Sequence, residues 1–210
     1  MILCCGEALI DMIPEQTVQG SEGYVPRSGG AIFNTAIGLG RLGCRTGLLS
    51  GISTDMFGHQ LMAELRASNV DTRNVIRSDR PSTLAFVKLS DGHASYSFFD
   101  ENSAGRMISS NDLPTAIDGI SALYFGGISL ACTPGADTYM HFAQTHARNA
   151  VVMVDPNIRP SFITDEPSFR DRMNGMLRLA DIVKVSDEDL NWIMPDTRAL
   201  EEKVTQLQAL

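Results

Sequence analysis

Short apolar runs alternate with longer amphipathic segments through the second half of the sequence, and this constrains the fold most strongly. The apolar runs predict strands at 122–128, 151–154 and 182–185. The segments between and after them predict helices at 135–148, 169–179, 187–193 and 197–210. Strands that alternate with helices build a parallel sheet covered on both faces. We therefore expect an α/β fold, a three-layer sandwich with a mostly parallel central sheet.

The first half of the sequence fits the same scheme less regularly. Residues 2–13 predict one buried strand, 17–28 a loop or small extension, 31–42 a helix, 46–52 a strand and 56–67 a helix. Residues 83–89 and 94–99 alternate with a period of two around Asp91-Gly92, which predicts a β-hairpin. This hairpin does not fit a parallel sheet, so we expect it to project as a small β lid.

Composition narrows the class of protein. The 210 residues are 43% hydrophobic and carry a net charge of −8, so a disordered chain and a nucleic-acid-binding protein are both disfavoured. No apolar run approaches a membrane span, and the N-terminus lacks the basic start of a signal peptide. The four cysteines form no C-x-x-C pair, which favours buried small side chains over zinc ligands. These features predict a cytoplasmic protein without a membrane partner.

Polar side chains follow three of the predicted strands. Asp11, the run from Asp155 to Arg159, and the run from Lys184 to Asp189 each come directly after an apolar segment. Asp and Asn also cap helices and turns, so any one of these runs has a purely structural explanation. Ligands of open parallel sheets bind at the carboxyl ends of strands, and three such runs together therefore favour a binding site.

A glycine pair precedes the first predicted helix. Gly29 and Gly30 would let the backbone approach a ligand closely, and Asn34 lies one turn into the helix, where its amide can both donate and accept. An ordinary tight turn followed by a helix-interior Asn is the alternative. The G-x-G-x-x-G spacing from Gly38 to Gly43 ends a helix instead of opening one, so it does not predict dinucleotide binding.

Taken together, these motifs resemble the ribokinase-like (PfkB-type) carbohydrate kinases, and most closely the fructokinases among them. The matching segments run in order along most of the chain: GEALID at 6–11, GGAxxNxA at 29–36, RLG at 41–43, DxFG at 55–58, GIS at 127–129, DPNxR at 155–159 and KVSDE at 184–188.

The resemblance implies ATP-dependent transfer of a phosphoryl group to a sugar hydroxyl, with Mg²⁺. It assigns six residues to the sugar: Asp11, Gly29, Gly30, Asn34, Phe98 and Arg159. Asp11 and Asn34 would bond sugar hydroxyls, Arg159 would face the sugar or its new phosphate, and Phe98 would pack on the sugar from the lid. The lid would exclude water from the transferred group.

The resemblance also implies a nucleotide side. It places Lys184, Ser186 and Asp189 near the triphosphate, in a segment where many family members have Asn and Glu instead of the Ser and the Asp. The family's catalytic aspartate lies in a Gly-Ala-Gly-Asp run, which these residues do not contain. We therefore expect no catalytic base within 1–210, and expect the chain to be the N-terminal two-thirds or so of a ribokinase-like domain, with β-lid segments at about 12–28 and 83–100.

Several functions stay open. Fructokinases often carry Arg near Asp100 and Asp near Gly105, and this sequence departs from that pattern, so another hexose or a sugar acid is an alternative acceptor. A nucleoside is a further alternative, because the resemblance extends to nucleoside kinases of the same superfamily. A non-catalytic sugar-binding module or pseudo-kinase is a second class. The predicted partners are a small-molecule sugar and ATP, and the family resemblance suggests a homodimer formed through the lid.

Overall fold

The structure is a computed structural model that describes residues 1–90 and 93–209. The predicted hairpin turn at Asp91-Gly92 lies outside the described residues. The strands are β1 (Ile2–Cys5), β2 (Leu9–Gln16), β3 (Glu22–Gly29), β4 (Thr46–Ser53), β5 (Val70–Asp71), β6 (Val75–Ser78), β7 (Leu84–Ser90), β8 (His93–Phe99), β9 (Ala122–Gly126), β10 (Val151–Asp155) and β11 (Ile182–Val183). The α-helices are α1 (Ala31–Arg41), α2 (Met56–Ala67), α3 (Gly135–His146), α4 (Glu166–Leu179), α5 (Asp187–Ile193) and α6 (Leu200–Leu207).

Seven of these strands form one large sheet. Its order is β11-β10-β9-β1-β4-β5, with β6 also paired to β4, and every pairing in it is parallel. The apolar residues of β1 alternate between its two faces. Leu3 and Cys5 pack with residues of α3 and α4, whereas Cys4 packs with residues of α1 and α2. This confirms the predicted three-layer α/β fold with a parallel central sheet.

The other four strands form a separate small sheet in the order β3-β2-β7-β8. Within it β2 pairs with β3 and β7 with β8 in antiparallel fashion, while β2 and β7 are parallel. The small sheet is thus assembled from two distant pieces of the chain.

One prediction for the N-terminal region is wrong. Residues 2–13 belong to two strands in two different sheets, because the chain leaves the large sheet at Gly6, whose φ is +156°. The side chain of the next residue, Glu7, is buried. Residues 17–28 were expected to be a loop or small extension, and the structure shows the extension, because they contain most of strand β3 of the small sheet. Pro26 is tolerated there because β3 is an edge strand of the small sheet.

Most other boundaries lie within a few residues of prediction, and α2 and α5 match it fully. Strand β9 ends at Gly126 and continues into a short 3-10 helix, Gly127–Leu130, whereas the prediction extended the strand to 128. Strands β5 and β6 were not predicted because they are short.

Cys4, Cys5 and Cys132 are buried as expected, but Cys44 is exposed. Gly38 and Gly40 lie inside α1, so the G-x-G-x-x-G spacing does end a helix.

Candidate sugar-binding site

A cavity of about 230 Å³ lies between the small sheet and the carboxyl edge of the large sheet, and we call it the inter-sheet cavity. It brings together five of the six residues predicted to bind the sugar, all except Gly29. Its lining consists of Glu7, Leu9, Asp11, Gly30, Ala31, Asn34, Tyr96, Phe98, Ile128, Asn157 and Arg159. Five separate stretches of sequence therefore converge on one space, contributed by the small sheet, the start of α1 and the loops at the carboxyl edge of the large sheet.

Asp11 enters the inter-sheet cavity from within strand β2, not after a strand as predicted. It is half-buried, and burial raises the pKa of its carboxyl group above the ordinary value of 3.8. Gly29 ends the neighbouring strand β3, next to Asp11. A Cβ on Gly29 would lie 2.9 Å from Asp11 Cγ and closer still to Oδ2. Gly29 thus leaves the space that the Asp11 carboxylate occupies.

The start of helix α1 forms the floor of the inter-sheet cavity. Gly30 precedes the helix with φ +104°, a conformation that favours glycine, and a Cβ there would lie 2.9 Å from the Glu7 carbonyl oxygen. Asn34 is one turn further on, and its backbone N–H donates to the Gly30 carbonyl at 2.9 Å. Its side chain is exposed and available to a hydroxyl group.

Glu7 is a lining residue that sequence reasoning did not assign to the site. It is 8% exposed, and burial raises the pKa of its carboxyl group above 4.5. Its Oε1 accepts from Ala31 N at 2.9 Å, and its Oε2 accepts from Ser129 N at 3.4 Å. A charged residue inside an otherwise apolar run is the signal that could have identified it.

Arg159 reaches the inter-sheet cavity from the loop after β10. Its Nη1 donates to the carbonyl oxygens of Ile158 at 3.0 Å and Asn157 at 3.4 Å, so its own loop orients the guanidinium. Asn157 also lines the cavity and has φ +44°, a conformation that Asn tolerates better than most residues. The prediction included the Asn157 motif but gave this residue no role.

Aromatic side chains of β8 close the other side of the cavity. Phe98 stacks against Tyr96 with ring centroids 6.0 Å apart, and it meets the edge of Phe162 at 5.0 Å. Tyr96 was not predicted, because an aromatic residue in an alternating strand has no distinguishing signal. The two rings offer apolar surface to the C–H groups of a sugar.

The predicted nucleotide residues lie outside the inter-sheet cavity, after β11. Lys184 Nζ is paired with Asp155 Oδ2 at 2.9 Å, and its side chain is 56% exposed. Ser186 caps α5 by accepting from Asp189 N at 3.1 Å. Asp189 is buried and accepts from Ile158 N at 2.9 Å. Ser186 and Asp189 therefore stabilise this edge of the fold, while Lys184 leaves part of its charge open to solvent.

Donor atoms for a metal ion are sparse. Within the described part of the chain, no three His, Cys, Asp or Glu side chains are arranged to hold a metal. Asp155 Oδ1 is a buried carboxylate oxygen without a hydrogen-bond partner. A Mg²⁺ ion that is carried by nucleotide phosphates needs only one or two protein carboxylates, and Asp155 fits that requirement.

Comparison with known proteins identifies the family. The family model described as pfkB family carbohydrate kinase matches residues 1–210. This chain belongs to that family. The resemblance stated from the motifs is thereby confirmed, and the inter-sheet cavity is a feature of a PfkB-family chain.

Similar proteins include named fructokinases. The chain is 54% identical over 192 residues to "Fructokinase" from Rhizobium leguminosarum bv. trifolii, which covers 91% of this chain and 59% of the relative. A fructokinase structure with bound ATP from Xylella fastidiosa superposes with a TM-score of 0.88 at 27% identity, covering 99% of this chain and 68% of that one. A Vibrio cholerae O395 fructokinase in a fructose, ADP and calcium ion bound form gives 0.86 at 25% identity, covering 99% and 66%.

The chain thus spans 59% of the length of the Rhizobium relative. Among the residues that the structure describes, no helix combines the length and apolar character needed to cross a bilayer.

Proposed function

We propose that the protein containing this chain is an ATP-dependent sugar kinase, and specifically a fructokinase. The inter-sheet cavity carries the proposal, because it presents the polar side chains of Asp11, Asn34 and Arg159 beside the aromatic rings of Tyr96 and Phe98. Sugar hydroxyl groups need hydrogen-bond donors and acceptors to pair with. A buried polar group of the site that the wrong sugar leaves unpaired costs about 1–3 kcal/mol of binding free energy. The cavity is smaller than the roughly 300–1,000 Å³ of pockets for drug-sized ligands, which favours a monosaccharide.

The choice of fructose rests on similarity. The Rhizobium relative is named a fructokinase, and the Vibrio cholerae structure contains fructose and ADP. The small sheet would act as a lid that excludes water from the transferred phosphoryl group.

ATP would supply the phosphoryl group, as the ATP-bound Xylella fastidiosa structure suggests. Lys184 would attract the phosphates, and Asp155 would contribute a carboxylate to nucleotide-bound Mg²⁺. Ser186 and Asp189 would support this segment through the contacts described above. The net charge of −8 agrees with a cytoplasmic location, which we propose together with the kinase activity.

The test is a panel of acceptors with the protein expressed from its complete reading frame. Fructose, other hexoses, sugar acids and nucleosides are each supplied with Mg²⁺ and ATP, and ADP release is measured. We expect fructose to give the highest kcat/KM. Calorimetric binding of fructose without ADP release would instead indicate a sugar-binding module or pseudo-kinase. Residues 1–210 alone should release no ADP, and steady turnover by them would place a base inside this chain.

We also propose that the small sheet pairs two copies of the protein. Tyr24, Phe86 and Phe99 form an aromatic patch with edge-to-face contacts of 5.0 and 5.4 Å. Tyr24 is 51% and Phe99 58% exposed. Since neighbouring residues of a strand point to opposite faces, Phe99 lies on the face away from Phe98 and the cavity. Sedimentation analysis should show a dimer that Phe99→Glu converts to a monomer, and a monomeric wild type would refute this arrangement.

A further inference from the structure

Glu7 is a buried carboxylate that the proposed chemistry does not use. It lies between β1 and β2, where the chain passes from the large sheet to the small one. Among the ion pairs of the described residues, none involves Glu7. A buried charge without a cation is costly, so its retention needs compensating hydrogen bonds.

Backbone N–H groups from two other segments provide that compensation. Glu7 Oε1 accepts from Ala31 N at 2.9 Å and Ile32 N at 3.5 Å, both in the first turn of α1. Its Oε2 accepts from Ser129 N at 3.4 Å. Ser129 lies in the 3-10 helix Gly127–Leu130, which we call the turn after β9. The Glu7 backbone adds another bond, because its carbonyl oxygen accepts from Phe33 N at 3.2 Å. The positive end of the α1 dipole also favours a negative charge here.

Glycines make room for this carboxylate on two sides. A Cβ on Gly127 would lie 2.8 Å from Glu7 Cδ, and a Cβ on Gly30 would lie 3.1 Å from Glu7 Cγ. Both glycines have positive φ values, +69° and +104°. The loop that carries Gly30 and the turn that carries Gly127 are therefore both shaped around the Glu7 side chain.

Each segment that Glu7 holds also lines the inter-sheet cavity. Helix α1 contributes Ala31 and Asn34, Gly30 directly precedes it, and the turn after β9 contributes Ile128. We propose, on the basis of the sugar kinase function proposed above, that Glu7 is a positioning residue for the acceptor. Its two oxygens fix α1 against the turn after β9 and so set where Gly30 and Asn34 meet the sugar.

Glu7→Gln is the informative substitution because it preserves size and removes one acceptor. A glutamine oxygen can still accept from Ala31 N, but its NH₂ group would face the Ser129 N–H, donor against donor. The link between α1 and the turn would be lost. Asp165→Asn is a matched control, since Asp165 caps α4 by accepting from Ser168 N at 3.1 Å and lies outside the inter-sheet cavity.

The experiment compares wild type, Glu7→Gln and Asp165→Asn, each expressed from the complete reading frame, for KM of fructose, KM of ATP and thermal midpoint. We expect Glu7→Gln to raise the fructose KM at least tenfold with the ATP KM within twofold, and Asp165→Asn to change neither. An unchanged fructose KM, or an equal rise of both KM values, would overturn the positioning role. If Glu7→Gln does not fold, Glu7→Asp, which keeps the charge on a shorter side chain, is held to the same criteria. A wild type without sugar phosphorylation refutes the proposed function and this inference together, whereas an active wild type with an unaffected variant refutes only the inference.

Discussion

Gly29→Ala should weaken sugar binding, because the added methyl group would displace the Asp11 carboxylate. The methyl group itself need not contact the sugar. The backbone at Gly29 is extended and suits alanine, so the effect arises at the neighbouring carboxylate. A Cβ would lie 2.9 Å from Asp11 Cγ, and nearer to Oδ2, where ordinary contact distances are about 3.5–4.0 Å. The carboxylate must therefore move by about 1 Å.

A displacement of that size is enough to break a charged hydrogen bond. Such bonds contribute about 1.5–3 kcal/mol, which corresponds to a roughly 10- to 150-fold loss of kcat/KM. Asp11→Ala should lower kcat/KM for fructose by at least tenfold, about 1.4 kcal/mol or more, for the same reason.

A double-mutant cycle measured by coupled ADP release tests this reasoning. If Gly29→Ala acts through Asp11, then adding it to Asp11→Ala should change kcat/KM by no more than about twofold, because the interaction is already gone. Gly38→Ala is the matched control, since a Cβ at Gly38 meets nothing within 4 Å. Near wild-type activity of Gly29→Ala, or additive losses in the double variant, would refute the argument.

Three further predictions concern stability and reactivity. Gly40→Ala should lower the free energy of unfolding in urea by about 1–3 kcal/mol, because its Cβ would collide with the Ser68 carbonyl where α1 packs near the end of α2, and Gly38→Ala should not. Burial raises the pKa of Asp100, so the folded state holds that proton more tightly and the free energy of unfolding falls as pH rises above 3.8. Asp100→Asn should therefore weaken the fall of the urea midpoint with rising pH, and an unchanged pH dependence would contradict this. Iodoacetamide should modify only Cys44 in the folded protein, as mass spectrometry of the native and denatured chain would show, since burial raises the pKa of Cys4 to about 12.

Local periodicity predicted the helices and the parallel sheet because those patterns depend on neighbours in sequence. Helix α2 and helix α5 were predicted to the residue. Local periodicity could not predict which sheet β2 joins, because its partner β7 lies some seventy residues further along the chain. An apolar run shows that a strand is buried, but it does not show which strand it pairs with.

Some residues of the candidate site could likewise be predicted from short sequence motifs, and others could not. Asp11, Asn34 and Arg159 belong to short motifs with a resemblance to known kinases, and the structure brings all three to one cavity. Tyr96 was missed because only the fold shows that it stacks beside Phe98. Glu7 was missed although its charge interrupts an apolar run, because the three N–H groups that hold it come from residues far away in sequence.

The central position of β1 has a consequence for synthesis on the ribosome. Among the strands described here it is made before all the others, yet one of its partners, β9, begins at residue 122. At roughly 5–20 residues per second, about 6–24 seconds pass before that partner has been translated. During this interval one edge of an apolar strand has no native neighbour, so the nascent chain is most exposed to aggregation before β9 emerges. Slow translation or chaperone contact over this stretch should therefore affect the yield of folded protein more than changes near β10 or β11.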